Sequence, residues 1–296
     1  MRRRPLALVV LAGLVATAAA GCGGDGDDEG AKDRRTTTST TGVSTTTAPP
    51  AAAGDSTGTS TTMRAAGVST TTVATTPPPT DGSPLTAGSV RPTRSGTYTF
   101  DNVGTTKLRT CFTYDYPTPA SSTLKVDPPN GNRQQAVLAN DDATTTTVLE
   151  YQEGGIHLAF LRQEQPTPSG DFVTEFEPVP PVLAVPASPA VGQAWSFTLV
   201  SKDGQVTTET TRRIEAVDDR VTLGDGRTMA AVRIRTDARI QGESPFGPLD
   251  LRLVSVSHQS GELRLLLRDV TDTTGKVGLC DYDSHVESTL RSSTPA

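Results

Sequence analysis

Three cysteines, three histidines and one S-x-x-K spacing are the residues of this 296-residue chain whose types suit covalent or metal chemistry. Cys111 lies in K-L-R-T-C-F-T-Y and Cys280 in V-G-L-C-D-Y. Outside the cytoplasm an even pair most simply forms a disulfide, so Cys111–Cys280 is the expected bond. The tail L-C-D-Y-D-S-H sets Cys280, Asp281, Asp283 and His285 close together, which are metal-ligand types. No C-x-x-C or H-E-x-x-H accompanies them, so neither metal nor cofactor is expected. Ser122 and Lys125 in S-T-L-K carry the spacing in which a lysine activates a serine from the first turn of a helix. Here P-T-P-A-S precedes and V-D-P-P follows. Proline on both flanks forbids that helix, and the spacing reads as coincidence. His157 and His258 fall in or beside strand-like runs, there is no G-x-S-x-G elbow and no P-loop, and no catalytic residue is expected.

The remaining cysteine, Cys22, ends the run A-A-A-G-C. Before it, Arg2, Arg3 and Arg4 form a positive start, and Leu6 to Ala20 run without a charge. That core is short of the roughly 20 residues of a membrane-spanning helix and has the length of a signal peptide. With Ala18 to Gly21 before Cys22, the segment resembles the lipobox of bacterial lipoproteins. Ala19 stands where that family more often has Leu. The resemblance implies a signal peptide over 1–21, a diacylglyceryl thioether on Cys22 as the mature N-terminus, and residence on the outer face of the cell membrane. One acyl chain holds only marginally, at about 0.8 kcal/mol per buried methylene, whereas two or three hold stably.

From Cys22 to residue 92 the chain is rich in Thr, Ser, Ala, Gly and Pro. There is no aromatic residue, and no Leu between Leu14 and Leu85. Too little apolar surface is on offer to offset backbone ordering entropy, so a disordered tether is expected, spanning roughly 45 Å. The acidic start of the tether, D-G-D-D-E, lacks the ligand spacing of a calcium loop. The net charge of −6 divides as +3 before Cys22, −2 in the tether and −7 beyond. There is no basic patch, and aromatic residues make up 4%, which excludes nucleic acid as a partner.

Residues 93–285 read as a β domain. Trp195, Phe197 and Leu199 alternate with Ser196 and Thr198, and Leu249, Leu251 and Leu253 with Asp250 and Arg252, while Leu263, Leu265 and Leu267 alternate with Arg264, Leu266 and Arg268. Turn signals divide the runs at Asn130-Gly131, Gly154-Gly155, Asp203-Gly204 and Asp225-Gly226. The expected fold is all-β: strongly curved antiparallel sheet, half-barrel or sandwich, of about ten to twelve strands. A short helix is expected near 284–291, with 286–296 as a tail. Three ordered echoes point to two similar meanders, 93–177 and 188–285. They are G-T-Y-T-F (96–100) with G-Q-A-W-S-F (192–197), R-Q-Q-A-V (133–137) with R-T-M-A-A-V (227–232), and 149–162 with 255–268. The Pro-rich segment 176–192 is then the crossover between them.

Over about residues 176–270, the order P-x-x-V-G-x-x-W, a strand pair, G-R-x-x-A-A-V and S-G-E-L-R-L resembles the curved sheets of LolA-like envelope lipoproteins. That family often has an aromatic in the penultimate strand, where this chain has Val256 and His258. Three functions follow as expectations. The first is a non-catalytic, membrane-anchored binding or accessory module whose partner is cell-wall polymer or an envelope protein. The second, implied by the LolA-like resemblance, is a carrier of lipid or another hydrophobic ligand. The third is an envelope hydrolase without a readable motif.

Overall fold

The computed structural model describes residues 72–74, 90–111, 113–167 and 170–296. The expected signal peptide, Cys22 and all but 72–74 and 90–92 of the expected tether lie outside them. Among the described residues there is no helix. Fifteen strands form one antiparallel sheet: β1 (Thr72–Ala74), β2 (Gly96–Arg109), β3 (Tyr114–Pro117), β4 (Ser121–Val126), β5 (Arg133–Ala139), β6 (Thr144–Gln152), β7 (Gly155–Thr167), β8 (Gly170–Phe176), β9 (Val182–Pro186), β10 (Ala194–Val200), β11 (Val206–Thr222), β12 (Thr228–Ser244), β13 (Gly247–Gln259), β14 (Leu266–Val277) and β15 (Cys280–Leu290). The all-β, antiparallel architecture is the one the sequence implies. The count exceeds ten to twelve because three short strands, β1, β3 and β9, add to edges.

Strand order resolves into two meanders of six, β2-β4-β5-β6-β7-β8 and β10-β11-β12-β13-β14-β15. All three sequence echoes fall on strands of equal rank. The first pair opens β2 and β10, the second lies on the third strands β5 and β12, and the third spans the β6–β7 and β13–β14 hairpins. The four turn signals join β4–β5, β6–β7, β10–β11 and β11–β12. At Asn130-Gly131 and Asp203-Gly204 the glycine φ angles are 61° and 72°, which a residue with a Cβ rarely adopts.

The two junctions between meanders are unequal. β15 and β2 pair continuously from Asp281–Arg109 to Leu290–Phe100. β8 and β10 meet only where Phe176 bridges Ser201 and the Lys202 N–H donates to Glu175 O at 2.8 Å, so the sheet stays open. Strand β9 crosses this gap, pairing with β7 on one side. On the other, Trp195 Nε1 donates to Leu183 O at 2.9 Å and Arg212 Nη1 to Ala184 O at 2.7 Å. The prolines of 176–192 therefore permit an edge strand, as expected, and no more.

Two readings change. Residues 284–291 are not helical: 284–290 continue β15, hydrogen-bonded to β14 and β2 on its two edges, and Arg291 follows in a bend. Two full ladders outweigh the weak helical pattern of S-H-V-E-S-T-L-R. The segment 286–296 is likewise not loose. Leu290 is fully buried, and Ala296 exchanges backbone hydrogen bonds with Thr97. Within the expected tether, Thr72–Ala74 pairs with Ala194–Ser196 as β1. Thr93, which is 3% exposed, is clamped just ahead of β2. Its N–H donates to Gln134 Oε1 at 2.9 Å and its carbonyl accepts from Gln134 Nε2 at 2.8 Å. Its Oγ1 donates to Arg264 O at 2.9 Å.

The interior contains two apolar clusters. One centres on Trp195, Phe197, Leu199, Ile214, Ile234 and Leu251, the other on Tyr98, Phe100, Leu124 and Leu265–Leu267. Each large side chain so buried contributes about 1.5–3 kcal/mol. Inward positions also carry buried polar groups: Thr208, Thr210, Arg212, Thr236, Ser255 and Asp269. The hydroxyls of Thr208, Thr210 and Thr273 have no hydrogen-bond partner among the described residues. A buried unsatisfied hydroxyl costs about 1–3 kcal/mol, and an isosteric methyl removes that cost. Thr208→Val and Thr273→Val are each expected to raise stability by about 1 kcal/mol. Urea unfolding checks this as a higher midpoint at unchanged slope; an unchanged or lower midpoint contradicts it.

Candidate functional site: an outward groove across β10–β14

The candidate catalytic types are scattered. Ser122 faces inward, buried, with its hydroxyl beside Asn102, while Lys125 is exposed on the opposite face of β4. Strand residues three apart point to opposite faces, so the S-x-x-K pair cannot meet. His157 is half-buried on β7, and burial holds its imidazole below the ordinary value. His258 is also lowered by burial, against the raising influence of Asp219, whose Oδ2 lies 3.3 Å from its Nε2. His285 pairs with Asp272 at 2.7 Å on the exposed face. Asp281, Asp283 and His285 alternate along β15. Among the described residues no group of three His, Cys, Asp or Glu side chains is placed to hold a metal ion. Cys111 and Cys280 stand at disulfide distance with Cα atoms 5.0 Å apart, within the span such a bond permits. Cys22 lies outside the described residues.

What the fold does assemble is a groove of about 840 Å³ on the outward face of β10–β14. Its existence follows from register. Thr198 pairs with Glu209, Glu209 with Arg239, Arg239 with Arg252, and Arg252 with Thr274. Antiparallel partners point to the same face, so these five residues form one transverse row on neighbouring strands. The row above supplies Ser196, Thr211 and Asp237, with the Ser196 and Thr211 hydroxyls 2.9 Å apart. The row below supplies Asp250 and Lys276. At the rim, β1 is laid along β10 at Ala194–Ser196.

The groove is built from ion pairs. Arg239 grips Asp250 with both nitrogens, Nε to Oδ1 at 3.0 Å and Nη2 to Oδ2 at 3.1 Å, and this pairing holds the Asp250 carboxyl below its usual value and Arg239 above its own. Arg235 grips Asp237 in the same bidentate way at 2.9 and 3.2 Å. Lys276 pairs with Asp281 across β14 and β15. Arg252 differs. Its nearest carboxylate oxygen, on Asp237, is 4.0 Å from Nη2, and its side chain is 75% exposed. The row thus offers hydroxyls, one guanidinium directed to solvent and carboxylates at its edges, suited to hydrogen-bonding a polar ligand. Sequence reading did not find it. Its members are single polar positions on strands spread over residues 196–276, and only the register unites them.

Comparison of the chain with protein-family models, with curated proteins and with solved structures gives no match.

Proposed function

We propose that the protein is a lipid-anchored, non-catalytic binding module of the bacterial cell envelope, held to the outer face of the membrane through Cys22 and engaging a polar envelope polymer. The single observation that carries the binding reading is the hydroxyl- and ion-pair-lined groove across β10–β14. Its open form and its hydroxyl-bearing and charged side chains suit an extended hydrophilic chain. The anchor rests on the A-A-A-G-C segment and the charged, apolar leader before it.

Two measurements test the proposal. Cys22→Ser is expected to abolish incorporation of labelled fatty acid and to release the protein from the membrane fraction. The purified full chain is expected to co-sediment with insoluble cell-wall material. A Cys22→Ser protein that still labels and stays with membranes contradicts the anchor, and a chain left wholly in the supernatant contradicts the wall-binding role.

A further inference from the structure

We infer that the groove recognises a single carboxylate carried by an otherwise uncharged polar ligand, and that Arg252 is the residue that receives it. This deepens the binding-module reading and rests on it. Arg239 and Arg252 are direct cross-strand partners, both exposed on the outward face. Like charges directly opposite one another destabilise a sheet. Asp250 answers one of the two with a bidentate clasp. Arg252 is left with a carboxylate no nearer than 4.0 Å, because both oxygens of Asp237 are already held by Arg235.

A guanidinium so placed presents its planar fork of donors to solvent, the geometry that matches a carboxylate. The charges around it set the class of ligand. Glu209, Asp237 and Asp250 line the groove together with Arg239, Arg252 and Lys276, so its lining is balanced in charge, and the whole chain carries −6. A polyanion or a dianionic phosphate finds no net positive field in so balanced a lining, whereas one negative charge on a neutral chain can be met by Arg252, which among the described residues of the groove is the cation whose carboxylate partner is most distant, at 4.0 Å. The neighbouring hydroxyls of Ser196, Thr211 and Thr274 suit the uncharged polar remainder.

The test compares two sugars that differ by a lactyl ether bearing a carboxylate, with the full chain observed by backbone amide NMR. N-acetylmuramic acid is expected to shift the amides of Arg239, Arg252 and Thr274. N-acetylglucosamine at equal concentration is expected to leave them in place, and heparin, a polyanion, is expected to bind no tighter than the acid sugar. Arg252→Gln is expected to weaken the acid sugar on the order of tenfold or more, as loss of a charge-assisted contact does. Arg252→Lys is expected to fall between. Arg252 is exposed, so an unchanged melting temperature checks that both variants are folded. The inference is overturned if the two sugars act alike, if heparin binds tighter, or if Arg252→Gln binds as the parent does. It is also overturned if no shift appears by about 10 mM, where a millimolar site is nearly filled. Failure here with wall co-sedimentation intact leaves the binding-module reading standing. Carboxylate binding at Arg252 without co-sedimentation sinks that reading and leaves the inference.

Discussion

Replacing Cys111 and Cys280 together by serine is expected to lower the unfolding free energy by as much as about 5 kcal/mol. The two residues are 169 apart in sequence, so a crosslink between them removes a large share of the freedom of the unfolded chain. In the folded state Cys111 sits just beyond the last rung of the β15–β2 junction, where Asp281 pairs with Arg109, and Cys280 opens β15 paired with Val277 of β14. The fold brings them together with or without the bond, so the loss falls on the unfolded side of the equilibrium. A domain typically holds 5–15 kcal/mol in total, which makes the effect large enough to read directly from a urea titration. In the Cys22→Ser background the oxidised protein is expected to show no free thiol in an Ellman assay. Two reactive thiols before reduction, or a double serine variant as stable as its parent, contradict the expectation.

Arg212→Met is expected to cost about 3–5 kcal/mol, the penalty for removing one member of a buried charge pair. Arg212 is 5% exposed and Asp269 6%. Burial lowers the guanidinium to about 10 and raises the Asp269 carboxyl, while each charge partly offsets the shift of the other. Asp269 also accepts from Ser255 at 2.6 Å and Thr271 at 2.5 Å. Methionine leaves that carboxylate without its countercharge and takes from β9 the donor to Ala184 O. The pH dependence has a definite sign. A carboxyl raised above its ordinary 3.8 costs nothing below that value and loses stability as pH rises through the folded value. Without Arg212 that value rises further, so the deficit of Arg212→Met is expected to be smallest near pH 4 and to grow toward neutrality. Paired melting curves at the two pH values check this; a deficit that shrinks with rising pH contradicts it.

The β class and four of its turns were legible because Trp195–Leu199 and Leu249–Leu253 alternate with period two and the turn dipeptides stand between such runs. The two-meander plan was legible through the echoes, which proved to occupy strands of equal rank. The inward polar positions were not. In V-T-T-E-T-T-R-R, threonines fall on both faces of β11, so alternation carries no sign of which side is buried. Only the ladders to β10 and β12 decide that Thr208, Thr210 and Arg212 point inward and Glu209 outward. The end of β15 was misread for a related reason. Its stability comes from two neighbours remote in sequence, while its own residues favour no state strongly. The groove stands at the far end of this scale, since each member is an unremarkable polar residue until register aligns five strands.

The clamp on Thr93 bears on mechanics. A pull on the chain at Val90 is carried to Thr93, a residue fastened through its backbone to the Gln134 side chain of β5 and through its hydroxyl to Arg264 O in the β13–β14 turn. Tyr151 on β6 braces the same glutamine, its hydroxyl donating to Oε1 at 2.8 Å. Tension is therefore shared between both meanders before it reaches Gly96, the first residue of β2. Without that fastening, a pull would peel β2 from β4 one rung at a time, the weakest way to load a sheet. With it, several bonds must break together, and the strand that joins the two halves is shielded from the line of force.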